Sequence, residues 1–253
     1  MLSAQRRQII LDRLAQSGQV SVTTLSLEWA VSEDTVRRDL RDLAAEGLVQ
    51  RVHGGALPSS PALANYERRE VLSIDSKTRL GKAAANLIQA GQVVAIDGGT
   101  SNLQLVRAIP KTLFCTIITH SPLIAAELRW HANIEVILIG GKIFRHSQVA
   151  VGSEAVQAIS QLRTDLFFLG ATGIHKDTGI TTGDWEEAAI KRAFCNAAAE
   201  TILLVSPEKI NAAAPYQIIP LNKLSVLVVD QDAPETALDG FRNKGIEILR
   251  AEK

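Results

Sequence analysis

Glycines and small polar residues recur directly after apolar runs in the C-terminal part of the chain. Glycine lets a phosphate approach the backbone closely, and free N–H groups at the start of a following helix can bind it. Serine and threonine hydroxyls add hydrogen-bond donors. A single Gly-Gly pair is more often a plain turn, so the prediction of an anion site depends on several such segments lying together. Its candidate residues are Asp97, Gly98, Gly99, Thr100, Ser101, Thr119, His120, Ser121, Gly140, Gly141, Lys142, Thr172 and Gly173.

Further charged residues are candidates for contacts with the rest of an anionic ligand. Glu187 and Lys191 are four residues apart and therefore share one face of a predicted helix. Such a pair is more commonly an exposed, stabilising ion pair; the alternative is that both line the ligand pocket. Lys209 follows another apolar run. The chain has neither a Walker loop nor a GxGxxG fingerprint, so nucleotide binding is not indicated.

A second group of candidate residues lies near the N-terminus. The apolar residues of segment 33–46 have the spacing of one buried helix face, and arginines and small hydroxyl residues occupy the other flanks. Such a helix can enter a DNA groove, where arginine binds phosphate or guanine. The candidate DNA contacts are Ser32, Thr35, Arg37, Arg38, Arg41, Arg51 and His53. Asp39 and Asp42 lie between these arginines and can orient them. Taken alone, the helix is equally consistent with an ordinary solvated helix with internal ion pairs.

The N-terminal candidates require a small folded unit to position them, predicted over residues 1–57. Three short helices are expected, with the first over 5–17 and the third over 33–46; Ser21 and Ser32 have the type and position of helix caps. Segment 48–56 predicts two short strands around a turn. The sum is a winged helix-turn-helix.

The C-terminal candidates require a larger α/β unit, predicted over residues 76–253. Residues 58–75, which begin Pro-Ser-Ser-Pro, predict a linker before it. Alternating apolar runs and helical stretches predict a doubly wound, mostly parallel, Rossmann-like sheet. Open sheets of this kind bind ligands at the carboxyl ends of their strands. The strands are expected at 93–97, 115–119, 134–139, 165–170, 201–205, 225–230 and 246–249.

The composition argues against several classes of protein. No apolar run approaches the roughly 18 residues of a membrane span, and no apolar stretch typical of a signal peptide follows the first arginines. Cys115 and Cys195 lie in apolar surroundings and predict buried free thiols in a reducing compartment. No Cys/His cluster has zinc spacing. These features indicate a soluble cytoplasmic protein without a metal or cofactor. The net charge is zero, so DNA binding must depend on where the arginines lie.

The stretch Val31-Ser32-Glu33-Asp34-Thr35-Val36-Arg37-Arg38-Asp39-Leu40, followed by Arg51-Val52-His53-Gly54-Gly55-Ala56, resembles the signature of DeoR-family repressors. The resemblance covers nearly the whole chain and implies a winged helix-turn-helix followed by a fold similar to sugar-phosphate isomerases. It implies operator contact by Thr35, Arg37 and Arg38. It also matches Glu187, Lys191 and Lys209 to the family's pocket positions. Ser206 and Glu208 depart from the family, which usually has Asp and Ser there.

The resemblance implies a repressor of a carbohydrate-utilisation operon that binds double-stranded operator DNA as a homodimer or homotetramer. A phosphorylated sugar or polyol would release the DNA through its differential affinity for two states. One alternative is a sugar-phosphate isomerase or deaminase with an accessory DNA-binding unit, using Glu187, Asp97 or Asp184 as its base. Another is a DNA-binding protein whose larger unit only oligomerises.

Overall fold

An N-terminal head of short helices and strands, residues 3–58, precedes a larger α/β body. The computed structural model describes residues 1–252, apart from the side chains of residues 15 and 16. The head contains α1 (Ser3–Ser17), β1 (Val20–Ser21), α2 (Val22–Trp29), α3 (Glu33–Ala45), β2 (Val49–Val52) and β3 (Gly55–Pro58). Strand β3 pairs antiparallel with both β1 and β2. This arrangement is the predicted winged helix-turn-helix, with β1 as an additional strand of two residues.

Local sequence determines where the head helices begin and end. Gly18 has φ +72° and ends α1 by donating its N–H to the Leu14 carbonyl. Ser21 and Ser32 cap α2 and α3, because each side-chain oxygen accepts a hydrogen bond from the backbone N–H three residues later. Helix α3 ends at Ala45, one residue earlier than expected.

A buried ion pair joins α1 to α3. Arg6 Nε donates to Asp39 Oδ2 at 2.5 Å, and Arg6 Nη2 donates to Asp39 Oδ1 at 3.1 Å. Ser3 Oγ adds a third hydrogen bond at 2.8 Å. The hypothesis that Asp39 orients the arginines of its own helix is therefore wrong. Its carboxylate faces α1 because it lies on the buried stripe of α3 beside Leu40 and Leu43.

The body begins after a short helical segment. Its helices are α4 (Tyr66–Val71), α5 (Ile74–Ala85), α6 (Thr100–Ala108), α7 (Pro122–Glu127), α8 (Ser153–Ser160), α9 (Trp185–Ala197) and α10 (Glu235–Arg242). Its strands are β4 (Val93–Ile96), β5 (Cys115–Thr119), β6 (Ile134–Leu138), β7 (Lys142–Phe144), β8 (Val149–Val151), β9 (Thr164–Leu169), β10 (Gly173–His175), β11 (Gly179–Thr182), β12 (Ala198–Val205), β13 (Tyr216–Ile219), β14 (Val226–Asp230) and β15 (Glu247–Ala251). Short 3₁₀ turns lie at Pro61–Leu63, Leu128–Trp130, Pro207–Lys209 and Leu221–Lys223.

A parallel sheet with the order β15-β14-β12-β9-β4-β5-β6 forms the centre of the body. Every neighbouring pair in it is parallel. Each predicted strand lies in this sheet, with ends shifted by at most three residues. Strands β4 and β9 are neighbours, but the chain continues from β4 to one side of the sheet and from β9 to the other. Their carboxyl ends therefore form a topological switch point, where open α/β sheets bind ligands.

Helices cover both faces of this sheet, which confirms the doubly wound architecture. On β9, Leu166 and Phe168 pack with residues of α5, α6 and α7, whereas Phe167 and Leu169 pack with residues of α8, α9 and α10. Burial on both faces explains why the strands are continuous apolar runs. Two smaller antiparallel sheets, β10-β11-β13 and β7-β8, were not predicted. All five of their strands have only three or four residues, too few for a periodicity to show.

Residues 58–75, predicted as a linker, lie against the body and contain regular structure. Ser60 Oγ donates to the Thr172 carbonyl at 2.5 Å, and Ser59 forms a parallel bridge with Ala213. Asn65 then caps α4, which buries Tyr66. Prolines and serines mark the start of the segment, but its later part has enough caps and apolar contacts to fold.

Within residues 1–252, no helix is long and apolar enough to span a membrane. The same residues contain no group of His, Cys, Asp and Glu side chains arranged to hold a metal ion. Cys115 is buried as expected, and Cys195 is only partly buried; both are free thiols.

Candidate functional site

A cleft lies at the carboxyl ends of β4 and β9. The predicted residues that line it are Gly98, Gly99, Thr100, Ser101, Thr172, Glu187, Lys191 and Lys209. These residues come from four separate strand ends or helix starts, so the expected convergence of the glycine-rich segments occurs, in part, at the switch point.

The N-terminus of α6 forms one wall of the cleft. Gly99 precedes the helix with φ +112°, a conformation that residues with a side chain rarely adopt. The first intrahelical hydrogen bond of α6 is donated by Leu103, so the preceding N–H groups are available to a ligand. Ser101 Oγ and Asn102 Oδ1 are buried without a hydrogen-bond partner. Buried polar atoms are rarely left unpaired in proteins, and these two lie where a polar ligand would reach them.

Asp97 lies behind this wall and is fully buried. Its Oδ1 accepts a hydrogen bond from Gly98 N at 2.7 Å, and its Oδ2 accepts from Gly170 N at 2.7 Å and Lys191 Nζ at 2.5 Å. Burial raises the pKa of Asp97, but the charge of Lys191 and the hydrogen bond to His120 outweigh burial and leave the pKa at about 2. The carboxylate therefore fixes the two glycine backbones that shape the cleft, and it does not itself line the cleft.

His120 also contacts Asp97 and is not among the residues that line the cleft. Its Nε2 lies 2.7 Å from Asp97 Oδ1 and its Nδ1 lies 2.7 Å from the Ala150 carbonyl. Each ring nitrogen of His120 therefore faces an oxygen acceptor. Ser121 caps α7, and Thr119 Oγ1 accepts from the Ser121 N–H. These three predicted effector residues thus have structural contacts and do not line the cleft.

Four other predicted effector residues also lie outside the cleft. Gly140, Gly141 and Lys142 follow β6, which is the edge strand and two positions away from β4. The side chain of Lys142 is exposed and pairs with Glu186 at 3.2 Å. Gly173 begins β10, where an added Cβ would lie 2.4 Å from the Ala212 carbonyl oxygen, so its role is close backbone packing. Gly140, Gly141 and Lys142 do not join the others because β5 lies between β6 and β4, whereas Gly173 follows β9 and packs against the backbone of Ala212 instead.

Glu187 and Lys191 lie on α9 and are only 6% and 3% exposed, so they are not an ordinary surface ion pair. Lys191 Nζ lies 3.5 Å from Glu187 Oε1, and Thr182 Oγ1 donates to Glu187 Oε2 at 2.5 Å. Burial alone would raise the pKa of Glu187. The charge of Lys191 and the hydrogen bond from Thr182 together have a larger, opposite effect, so the pKa lies below its usual value. The cleft therefore presents a carboxylate that can accept hydrogen bonds from ligand hydroxyls. Asp184 only caps α9.

Three cations add positive charge to the cleft. Lys209 was predicted from the sequence, whereas Arg69 and Lys77 were missed because they lie in and just after the predicted linker. Burial lowers the pKa of Lys77 and of Lys209 to about 8. Lys77 Nζ donates to the Arg69 carbonyl at 2.5 Å, an uncharged acceptor. None of the three forms an ion pair with any residue from 1 to 252, so the cleft has positive charge available for an anion.

Glu208 also lines the cleft and is the only further carboxylate among the described lining residues. Its Oε1 accepts from Ser206 Oγ at 2.5 Å, and its Oε2 accepts from Ser73 Oγ at 2.8 Å. The two residues that depart from the DeoR pattern, Ser206 and Glu208, are therefore bonded to each other. Lys209 still faces the cleft despite these departures.

Basic residues of the head share a second concave surface, between α3 and the β2–β3 turn. Arg37, Arg51 and His53 line it. Arg37 pairs with Glu33 at 2.6 Å across one helix turn, and this pair is exposed. Arg38 and Arg41 are exposed on α3. The arginines are therefore accessible to a duplex, as expected of a groove-binding helix.

Ser32 and Thr35 lie at the start of this helix. Ser32 Oγ caps α3 and lies 2.9 Å from Thr35 Oγ1. Both residues are at least partly exposed, so the hydroxyls remain close to the arginine-bearing surface while they stabilise the helix.

The chain matches known families and relatives over most of its length. Residues 6–61 match the DeoR-like helix-turn-helix domain, and residues 72–231 match the DeoR C-terminal sensor domain. The chain is 31% identical to the HTH-type transcriptional regulator GlpR of Haloferax volcanii, over 98% of each protein. It is also 31% identical to the HTH-type transcriptional repressor GlcR of Bacillus subtilis, over 100% of this chain and 98% of the relative.

A third relative and one solved structure extend these similarities. The glycerol-3-phosphate regulon repressor of Escherichia coli is 28% identical, over 98% of this chain and 99% of its own. Ribose 5-phosphate isomerase A of Methanocaldococcus jannaschii superposes on 54% of each chain with a TM-score of 0.40 and 17% identity. On the strength of the two domain matches and the full-length relatives, the chain belongs to the DeoR family of helix-turn-helix transcriptional regulators.

Proposed function

We propose that the protein is a transcriptional repressor that binds double-stranded operator DNA and releases it when a phosphorylated sugar or polyol enters the cleft. The observation that carries this proposal is the cleft itself: a buried site with surplus cations and unpaired polar atoms, in the same chain as an exposed arginine-bearing helix. A relative named as a glycerol-3-phosphate regulon repressor supports this class of effector. The regulated genes are then those of a carbohydrate-utilisation operon.

In this proposal the phosphate binds at the N-terminus of α6. The N–H groups around Thr100 and Ser101 donate to it, and Lys77 and Lys209 supply positive charge. The hydroxyls of the sugar or polyol then reach Glu187 and Lys191 on α9. The anion thus binds where cations are least neutralised, and the hydroxyls bind where a carboxylate and an ammonium lie together.

The DNA-binding part of the proposal assigns residues 1–57 to the operator and residues 76–253 to the effector, joined by 58–75. Helix α3 enters the major groove, where Arg37 and Arg38 contact bases or phosphates. The segment around Arg51 contacts the neighbouring backbone. A homodimer or homotetramer in the cytoplasm then binds repeated half-sites.

The relatives that match the chain over its full length are regulators by name, so the protein is not an enzyme. An oligomerising body without an effector is the second candidate. Thermal unfolding of the full-length protein distinguishes the two when glycerol 3-phosphate, ribose 5-phosphate and glucose 6-phosphate are added in turn. A ligand at one hundred times its Kd stabilises the folded state by about 2.7 kcal/mol. Absence of any shift across phosphorylated sugars and polyols would favour the second candidate.

Operator binding is tested with a duplex selected by the full-length protein from a randomised library. Arg38→Ala should weaken binding, because its exposed guanidinium lies on α3. If Arg38 contacts only phosphate, its loss also makes the negative slope of log K against log salt less steep, by about one. Arg68→Ala, an exposed arginine on α4, is the control. Equal affinities for wild type, Arg38→Ala and Arg37→Ala would refute the assignment of α3.

A further inference from the structure

The segment between head and body forms part of the cleft wall. Residues 59–72, here called the strap, begin directly after β3 and continue through α4. Ala62, Arg69 and Leu72 of the strap line the cleft beside Lys77. The chain that leaves the DNA-binding head therefore passes through the site proposed for the effector before it enters α5.

The strap forms hydrogen bonds with a residue that lines the cleft and with the loop that contains His146. Ser60 Oγ donates to the carbonyl of Thr172, which is itself a cleft residue. His146 Nε2 donates to the Leu63 carbonyl at 3.0 Å, and Arg69 Nη2 donates to the His146 carbonyl at 2.7 Å. A change in the position of Arg69 is thus passed to the strap through its own helix and through the loop at His146.

The guanidinium of Arg69 has a buried N–H group that lacks a hydrogen-bond acceptor. Its Nε is buried and has no hydrogen-bond partner. Its guanidinium lies 5.5 Å from the centre of the Tyr66 ring and forms no ion pair with residues 1–252. Burial lowers the pKa of Arg69, even though Glu187 opposes this effect. A planar guanidinium with a free, buried N–H in a polar cleft suits a carboxylate or phosphate oxygen as its partner.

Residues of the head and of the body line a common groove. Gln19 and His53 line this groove on the head side, and His175 and Thr178 line it on the body side. Gly18 of the head and Asn211 of the body line a neighbouring groove. The described apolar core of the head is a separate cluster from those of the body, and inter-unit motion is limited mainly by large apolar interfaces, so the head can change its orientation.

We propose that Arg69 binds the anionic group of the effector, and that this contact moves the strap and with it the DNA-binding head. The inference rests on the proposed function and adds the residue through which the head detects an occupied cleft. An effector shifts the operator-bound population only if it binds the two states with different affinity. The contact with Arg69 supplies this difference, because Arg69 lies on the segment that connects the two sites.

The test compares Arg69→Met with Arg68→Met in the full-length protein. Methionine retains an apolar stem over Tyr66 and removes the guanidinium, and Arg68 is the exposed neighbour on the same helix. The probes are glycerol 3-phosphate, ribose 5-phosphate, glucose 6-phosphate and inorganic phosphate. Calorimetric titration gives their Kd, and fluorescence anisotropy of the library-selected duplex gives operator Kd with and without each probe. Arg69→Lys is measured in parallel, so that a folding defect in Arg69→Met does not end the test.

Operator affinity without probe is measured first for each variant as the reference for its release, and we expect that of the exposed control Arg68→Met to equal the wild type. Arg69→Met should bind the sugar phosphate that releases the wild type about 10- to 100-fold more weakly, the effect of losing a charge-assisted hydrogen bond. At a concentration that saturates Arg69→Met, operator release should be smaller than in the wild type. Arg69→Lys should recover part of the binding and less of the release. Arg68→Met should behave as the wild type.

Two results would overturn the proposal. Wild-type probe affinity in Arg69→Met means that Arg69 is not an effector ligand. Full operator release by saturated Arg69→Met means that the strap does not transmit occupancy through this residue. If the wild-type protein binds none of the sugar phosphates, the proposed function itself is contradicted. If wild type and Arg69→Met bind them and release DNA equally, only the role of Arg69 is contradicted.

Discussion

The Asp97→Asn substitution offers the most direct test of how the cleft is built. The buried carboxylate accepts hydrogen bonds from Gly98 N, Gly170 N and Lys191 Nζ and contacts His120. Asparagine removes the charge and directs its NH₂ group toward one set of these donors. The variant also leaves Lys191 with Glu187 as its remaining carboxylate contact, at 3.5 Å.

The expected loss can be estimated in two ways. Removing one partner of a buried ion pair costs about 3–5 kcal/mol. The pKa of Asp97, about 2 against an ordinary 3.8, corresponds to about 2 kcal/mol of preference for the charged form in the folded state. The first figure includes the cost of leaving the buried Lys191 ammonium without Asp97, and the figure from the pKa does not include that cost. We therefore expect a loss of about 3 kcal/mol, or roughly 6–12 °C in the Tm of the body.

Differential scanning calorimetry at pH 7 measures this loss, with Asp239→Asn, an exposed aspartate on α10, as the control. The pH dependence gives an independent check. The folded-state pKa of Asp97 is lowered, so its stabilisation is complete above about pH 4 and is lost as the pH falls toward 2. The difference between wild type and Asp97→Asn should therefore shrink over that interval. A difference below 1 kcal/mol at pH 7, or one that does not change with pH, would refute the reasoning.

Three further predictions concern the head, the glycine backbone and the cations of the cleft. Arg6→Ala leaves Asp39 buried and unpaired, and it should destabilise the head by about 3 kcal/mol and abolish operator binding in gel-shift titrations. Gly170→Ala should lower the free energy of unfolding by about 1–3 kcal/mol, because the added Cβ would lie 2.7 Å from the Gly98 carbonyl oxygen. Gly140→Ala is the control and should not change it, because no atom lies within 4 Å of the added Cβ. The pKa of Lys209 is about 8, so affinity for the sugar phosphate that binds should fall as the pH rises from 7 to 9. This fall should be smaller in Lys209→Gln when both proteins are titrated calorimetrically.

The head could be predicted in detail because its signals are local. Ser21, Ser32 and Gly18 determine helix ends through hydrogen bonds to residues only a few positions away. The apolar stripe of α3 follows from helical spacing, and burying that stripe leaves Arg37 and Arg38 exposed on the remaining flanks. The seven strands of the large sheet were also evident, since burial on both faces requires continuous apolar runs.

The sequence by itself thus determined the helix ends, the identity of the strands and the residue types that each strand end presents. Only the tertiary structure decided which strand ends meet. Gly140 and Gly98 follow similar apolar runs, but one run is the edge strand and the other lies at the switch point. Lys77 and Lys209, more than 100 residues apart in the chain, meet in one cleft. The physical reason is that periodicity reports the burial of a segment, whereas the order of strands and the path of the strap depend on packing between distant segments.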